Sequence, residues 1–293
     1  MAWVVPESFA REIASREGLA GLAWIDALPD LIDRLLTQWS LVPSGAPMHG
    51  AVGIVVPVLR ADGAAAVLKA SFPHPGNLAE PKALATWAGR GAVRLLEHDA
   101  PAFATVLEKA GTHSLRDVPD PFEQMAIAGA LNRRLAVPAP EGFPSLKAVA
   151  DTWATEIESR QRRLSAPLAD RLVGRAVETS RELSQHQPNS LVHGDLNFSN
   201  VLKADREPWL AIDPKGWVGD PAYDAVNLLR DRWHTLTEPL GDLLTAFAEA
   251  AELDRHQVIR WVQACAVKDT LWSIEFGESS LRAATNRAVA DLD

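Results

Sequence analysis

Between Leu191 and Gly216 the chain reads LVHGDLNFSNVLKADREPWLAIDPKG. His193, Asp195, Asn197, Asn200 and Asp213 crowd between apolar runs there. Acids and amides in such a place bind a metal, do chemistry, or form turns, for which Asp and Asn are favoured. Their order suits chemistry on phosphate. Phosphoryl transfer asks a protein for a base that orients the attacking hydroxyl and for oxygen ligands that hold magnesium on the phosphates. Asp195 follows a strand-like run in a glycine-containing loop and can accept a hydroxyl's hydrogen bond. Asn200, in the same loop, and Asp213, directly after the apolar WLAI, carry the hard oxygens that magnesium prefers.

Such a loop works only if other elements hold it. Two helical patterns open the chain, the first marked by Phe9, Ile13 and Leu19, the second by Leu28, Leu31, Ile32, Leu35, Leu36 and Trp39. AVGIVVPVLR and AAAVLKASF then read as strands around a turn at Asp62-Gly63. NLAEPKALATWAG predicts a helix, and GAVRLLEHD and AFATVLEKA two more strands. After Gly111 the pattern is helical, apart from the short strands and loops around Asp195 and Asp213. Strands followed by runs of helices argue for an α+β fold and against a doubly wound sheet. The change of texture divides the chain into residues 1–110 and 111–293.

HGDLNFSN, then IDPKG, then GDPAYD, together resemble the catalytic core of the aminoglycoside phosphotransferase family. That family's pattern is H-G-D-x-x-x-x-N, then a magnesium-binding Asp, then Gly-Asp and a further Asp. GRGAVRLLEHD, LEKAG and the Asp-Pro-Lys-Gly turn are most similar to its streptomycin 6-phosphotransferase and hydroxyurea kinase branch. The resemblance implies a bilobal protein-kinase-like fold, with a small, mainly β N-lobe preceded by helices and a large helical C-lobe. It implies ATP and Mg²⁺ as cofactors and a small polar acceptor. Asp195 would be the base, and Asn200 and Asp213 the metal ligands. Lys69 would orient the nucleotide's phosphates, paired with Glu80, as kinases pair a strand lysine with a helix glutamate. Backbone groups of Glu108, Lys109 and Ala110 would hold the adenine. His193, Lys215 and Asp220 would support the site, and Lys215 can reach a phosphate from its turn. Asp224 and Glu275 are candidates for the acceptor's charges, and Trp217 and Trp233 for a sugar pocket. Two features depart from kinase patterns. Gly45, Gly50 and Gly53 do not have the G-x-G-x-x-G spacing of a protein-kinase phosphate loop. Asn197 stands where the family often has His, and carries no assigned role.

Composition narrows the alternatives. A formal net charge of −9 argues against nucleic acid and for a cationic acceptor. One cysteine, Cys265, excludes an internal disulfide and a cysteine-rich zinc site. The start has no signal-peptide pattern and no apolar run is long enough to span a bilayer, so the expected compartment is the cytoplasm and no membrane partner is expected. Two rival readings remain at this level. One is a non-catalytic nucleotide-binding protein on the same fold. The other is a metal-dependent phosphohydrolase built on His193, Asp195, Asp213 and Asp220, which leaves Lys69 and Glu80 without a purpose.

Overall fold

The residue alternation of one strand decides what surrounds Lys69. The computed structural model describes residues 5–164, 168–185, 187–232, 238–277 and 292. The chain divides into two compact units, Met1–Gly89 with Val93–Ala110, and Arg90–Ala92 with Gly111–Asp293. The first begins with α1 (Glu7–Gln38) and the short strands β1 (Val42–Pro43) and β2 (Met48–His49). It continues with β3 (Gly53–Leu59), β4 (Ala65–Ser71), α2 (Glu80–Trp87), β5 (Leu95–Asp99) and β6 (Ala104–Glu108). The antiparallel sheet runs β1-β3-β4-β6-β5, with β2 on β3. Ile54, Val56 and Val58 of β3 pair with Ala70, Leu68 and Ala66 of β4. Neighbouring side chains on a strand point to opposite faces. This set is buried against Phe9, Ile13, Leu28, Ile32 and Leu35 of α1. Lys69, Ser71 and Thr105 therefore share the other face, where α2 begins.

The two opening helical patterns form α1, broken at Gly18, whose φ of 60° is a left-handed conformation that glycine adopts without a Cβ penalty. The break turns the apolar stripe, so Leu19, expected on the buried face, is 85% exposed. The helix read over residues 77–89 is shorter: Pro75–Asn77 forms a 3₁₀ turn, and α2 starts at Glu80 with Pro81 in its first turn.

The second unit is mainly helical. Its elements are α3 (Pro121–Leu135), β7 (Val137–Pro138), α4 (Leu146–Arg163), α5 (Asp170–Gln185), β8 (Ser190–Val192), β9 (Val201–Lys203), β10 (Trp209–Ala211), β11 (Trp217–Val218), α6 (Asp224–Arg232), α7 (Leu240–Ala251) and α8 (Arg255–Glu275). Packed helices enclose Met125, Leu131, Ile157, Leu244, Phe247 and Trp261. β8 lies between β7 and β11, and β9 pairs with β10. Two small antiparallel pairings thus carry the ends of the loop that holds Asp195 and the turn that holds Asp213. Among the described residues no helix is long and apolar enough to cross a membrane.

Candidate active site

In the first unit, Lys69 Nζ lies 2.6 Å from Glu80 Oε1. β4 turns the lysine toward the α2 side of the sheet, and Glu80 is the first residue of that helix. Both side chains are largely buried, so each charge depends on the other for its stability. At the end of β6, the Glu108 N–H donates to the Arg94 carbonyl at 2.9 Å, and a Glu108 carboxylate oxygen accepts from the Arg94 N–H at 3.0 Å. Lys109 and Ala110 follow as irregular backbone. The glycine-containing segment before β3 is a hairpin, in which Gly50 N–H donates to the Gly53 carbonyl at 2.9 Å.

The second unit gathers the HGDLNFSN residues. The Asn200 side-chain amide donates to the Asp195 carbonyl at 2.9 Å, and its nitrogen is 3.5 Å from Asp195 Oδ2. Asn200 Oδ1 is the remaining oxygen of that side chain. Asn197, unassigned from sequence, proves structural to the loop. Its Oδ1 accepts from the N–H groups of Ser199 and Asn200 at 3.0 and 3.1 Å, which caps the 3₁₀ turn Phe198–Asn200. Its Nδ2 is 3.4 Å from Asp195 Oδ1. The signal was the Asn-x-x-Asn spacing across a short turn, which is an Asx-cap pattern.

His193 is fully buried. Its Nδ1 accepts from the Asp195 N–H at 3.2 Å, so its Nε2 carries the proton and donates to the Ile212 carbonyl at 2.9 Å. The His193 carbonyl accepts from the N–H groups of Lys215 and Gly216 at 2.8 and 3.1 Å. One residue thereby stitches the Asp195 loop to the Asp213 turn. Asp213 has φ 56°, a left-handed conformation that Asp tolerates better than most residues. Lys215 Nζ is 3.9 Å from Asp213 Oδ2. Burial pushes the Asp195 carboxyl above its ordinary range; Lys215 opposes that shift and the negative charge of Asp213 adds to it.

Asp224, expected at the acceptor, does not fit that place. It is 0% exposed. Oδ1 accepts from the Gly194 N–H at 2.8 Å, and Oδ2 from the His193 N–H and from Asn132 Nδ2, each at 3.1 Å. Three residues along α6, Asn227 donates to the Gly194 carbonyl at 3.1 Å. Gly194 has φ 81°, and a Cβ there would come within 3.2 Å of Lys215 Cβ. A side chain at this position therefore meets both strain and crowding.

Asp220 is a structural anchor. Oδ1 accepts from the Ala222 N–H at 2.9 Å, and Oδ2 from Gln257 Nε2 and Trp261 Nε1 at 2.7 and 2.8 Å. With Asp220 and His193 both buried and engaged, the four-residue metal centre of a phosphohydrolase does not form. Among the described residues no group of three or more His, Cys, Asp or Glu side chains is arranged to hold a metal. Glu275, the other acceptor candidate, is held by Arg160 and by Arg163, whose Nη2 is 2.7 Å away. The Arg163 hydrogen bond keeps its carboxyl below the ordinary range, and both arginines neutralise it. Neither Asp224 nor Glu275 presents an uncompensated charge to an acceptor. Trp217 stacks on Tyr223 at 5.7 Å; Trp233 lies outside the described residues. Cys265 is buried, which pushes its thiol up to about 12.

Residues 38–277 match the family model described as aminoglycoside/hydroxyurea antibiotic resistance kinase. The chain belongs to that family. The streptomycin 6-kinase of Streptomyces glaucescens is 37% identical over 288 residues, covering 94% of this chain and 93% of that protein. The hydroxyurea phosphotransferase of Kitasatospora aureofaciens is 36% identical over 271 residues, 90% of this chain and 78% of that protein. Among solved structures, a choline/ethanolamine kinase family protein from Mesorhizobium loti superposes with a TM-score of 0.61 at 17% identity, covering 89% of this chain and 95% of that one. The α+β fold is protein-kinase-like. The chain is a small-molecule phosphotransferase acting on a hydroxyl, of a class that uses ATP.

Replacing Asp224 by Ala leaves the N–H groups of His193 and Gly194 buried without their acceptor. The expected loss is about 3 kcal/mol or more of folding stability, measured by urea denaturation. A loss below about 1 kcal/mol would show that the carboxylate does not hold the loop. Burial pushes the Asp224 carboxyl up to about 7, above its unfolded value. The folded state then holds that proton where the unfolded state has lost it, so this contribution to stability falls as pH rises from about 4 to about 7. The difference between wild type and variant should narrow over the same range.

Proposed function

We propose that this enzyme transfers the γ-phosphoryl group of ATP to a hydroxyl of a cationic, streptomycin-like acceptor, with Asp195 as the base. The observation that carries the reading is the Asp195–Asn200 arrangement in a loop whose backbone is clamped by Asp224. A kinase of this type does little covalent chemistry; it positions groups and balances charge. Asp195 orients the attacking hydroxyl and takes its hydrogen bond. Burial favours that assignment, because a carboxyl raised above its usual range is a better proton acceptor once ionised. Lys69, held by Glu80, orients the phosphates. The backbone after Glu108, at Lys109 and Ala110, meets the adenine edge, since the Glu108 N–H is already bonded to Arg94.

Asn200 Oδ1 and the Asp213 carboxylate are the groups that would hold magnesium. Their oxygens suit a hard cation, and two protein ligands suit an ion that keeps waters and phosphate oxygens as the rest of its shell. Bound there, magnesium would neutralise charge on the phosphates. Lys215 offsets the repulsion between Asp213 and Asp195.

The acceptor class rests on the relatives that act on streptomycin and on the net charge of −9. Attraction between exposed charges weakens as salt screens them. Steady-state ATP consumption is the test, with streptomycin, an amino sugar, hydroxyurea and a neutral hexose as acceptors at two ionic strengths. Streptomycin should be the best acceptor, with a KM that rises with salt. A preference for the neutral hexose that salt does not alter would refute the cationic acceptor.

The phosphate-orienting pair is tested separately. Lys69→Ala should raise the KM for ATP and lower kcat, with Glu80→Ala giving a milder form of the same defect. The double variant should lose less than the two single losses combined, because both act through one contact. Additive losses would separate Glu80 from the function of Lys69.

A further inference from the structure

Beside Glu80, inside the first unit, lies a small cavity whose largely apolar wall carries several polar residues. It offers about 60 Å³ of space open to a water molecule. Ser71, Asn77, Glu80, His98 and Thr105 line it, and Leu78 stands exposed at its rim. The placement of Ser71 and Thr105 on it follows from the strand alternation that directs Lys69. Thr105 is the cross-strand partner of Lys69, and Ser71 lies two residues along β4 on the same face. Thr105 is 4% exposed, and its hydroxyl oxygen has no hydrogen-bond partner within the protein. A buried hydroxyl left unpaired is costly, and native proteins satisfy such groups with protein or with ordered water. A water needs roughly 10–15 Å³ of such space and two to four polar partners. The cavity provides the space, and polar residues, Glu80 among them, contribute to its wall.

We propose that the cavity binds ordered water that links the Thr105 hydroxyl to the Glu80 carboxylate, making Thr105 a positioning residue for Lys69. Glu80 is then held from two sides. Lys69 approaches from the sheet, and the water, anchored by Thr105, approaches from the cavity. A water bridge of this kind is enthalpically close to a direct hydrogen bond. Without it the carboxylate has one constraint fewer, and Lys69 meets the phosphates in a broader range of positions. The inference rests on the reading of Lys69 and Glu80 as the phosphate-orienting pair.

Two variants separate the hydroxyl from the shape of the side chain. Thr105→Val keeps the volume and removes the hydroxyl; Thr105→Ser keeps the hydroxyl. If water bridges Thr105 to Glu80, Thr105→Val should raise the KM for ATP by about threefold to tenfold, the range expected for one lost hydrogen bond. KM for the acceptor should stay within about twofold, and Thr105→Ser should restore ATP affinity. Thr105→Val should also lower Tm. A dry cavity gives the opposite result, because removing an unpaired buried hydroxyl stabilises the fold, and Tm would rise. An unchanged KM for ATP in Thr105→Val overturns the proposal, whatever happens to Tm. A crystal structure of the wild type with no water within hydrogen-bonding distance of the Thr105 hydroxyl overturns it as well. Lys69→Ala is the control: if it leaves ATP affinity intact, the phosphate-orienting reading fails; if it lowers affinity while Thr105→Val does not, the water bridge alone fails.

Discussion

A carboxylate with no access to solvent, surrounded by three N–H groups, holds the loop that carries Asp195 in place. Asp224 accepts from the backbones of His193 and Gly194 and from the side chain of Asn132. Two of those donors are backbone groups of the loop, so the loop cannot shift without leaving buried polar groups unpaired. Asn227, on the same face of α6, takes the Gly194 carbonyl. Both polar groups of Gly194 are thus fixed by one helix. The chain then reaches Asp195 in a set direction, and the Asn197 cap carries that order on to Asn200.

Electrostatics gives the arrangement its chemical character. Burial raises the cost of ionising Asp195, and the negative charge of Asp213 adds to it. Lys215 offsets part of it. The turn that carries Lys215 is bonded through its backbone to the His193 carbonyl, so the cation and the two acids belong to one hydrogen-bonded assembly. Glycine at position 194 is a consequence of the same closeness. Its left-handed backbone, and the nearness of the Lys215 and Trp217 side chains, disfavour the arginine that protein kinases place there.

Much of this was legible in the sequence, and the reason lies in the range of each interaction. Asp195, Asn197 and Asn200 share one loop, so their association is nearly local. Lys69 and Glu80 are joined by a short connection, and strand alternation sets which way the lysine points. Asp224 was harder. Two of its donors come from the start of the loop, directly after β8, and one from α3, and only the folded chain shows that they consume it. The same holds for Glu275, whose partners Arg160 and Arg163 lie far away in the sequence on α4. An acid looks the same in sequence whether it faces an acceptor or a pair of arginines. The exposure of Leu19 has a different origin. The apolar period was read through Gly18, where the backbone turns and the stripe begins again.

The central claim is that Asp195 serves the acceptor hydroxyl and not the nucleotide. Single-turnover transfer from γ-labelled ATP to streptomycin, measured for wild type and Asp195→Ala alongside ATP binding, tests it most directly. The expected result is a fall in transfer rate on the order of a hundredfold or more with ATP affinity nearly unchanged. Transfer at the wild-type rate in Asp195→Ala would contradict the assignment of the base.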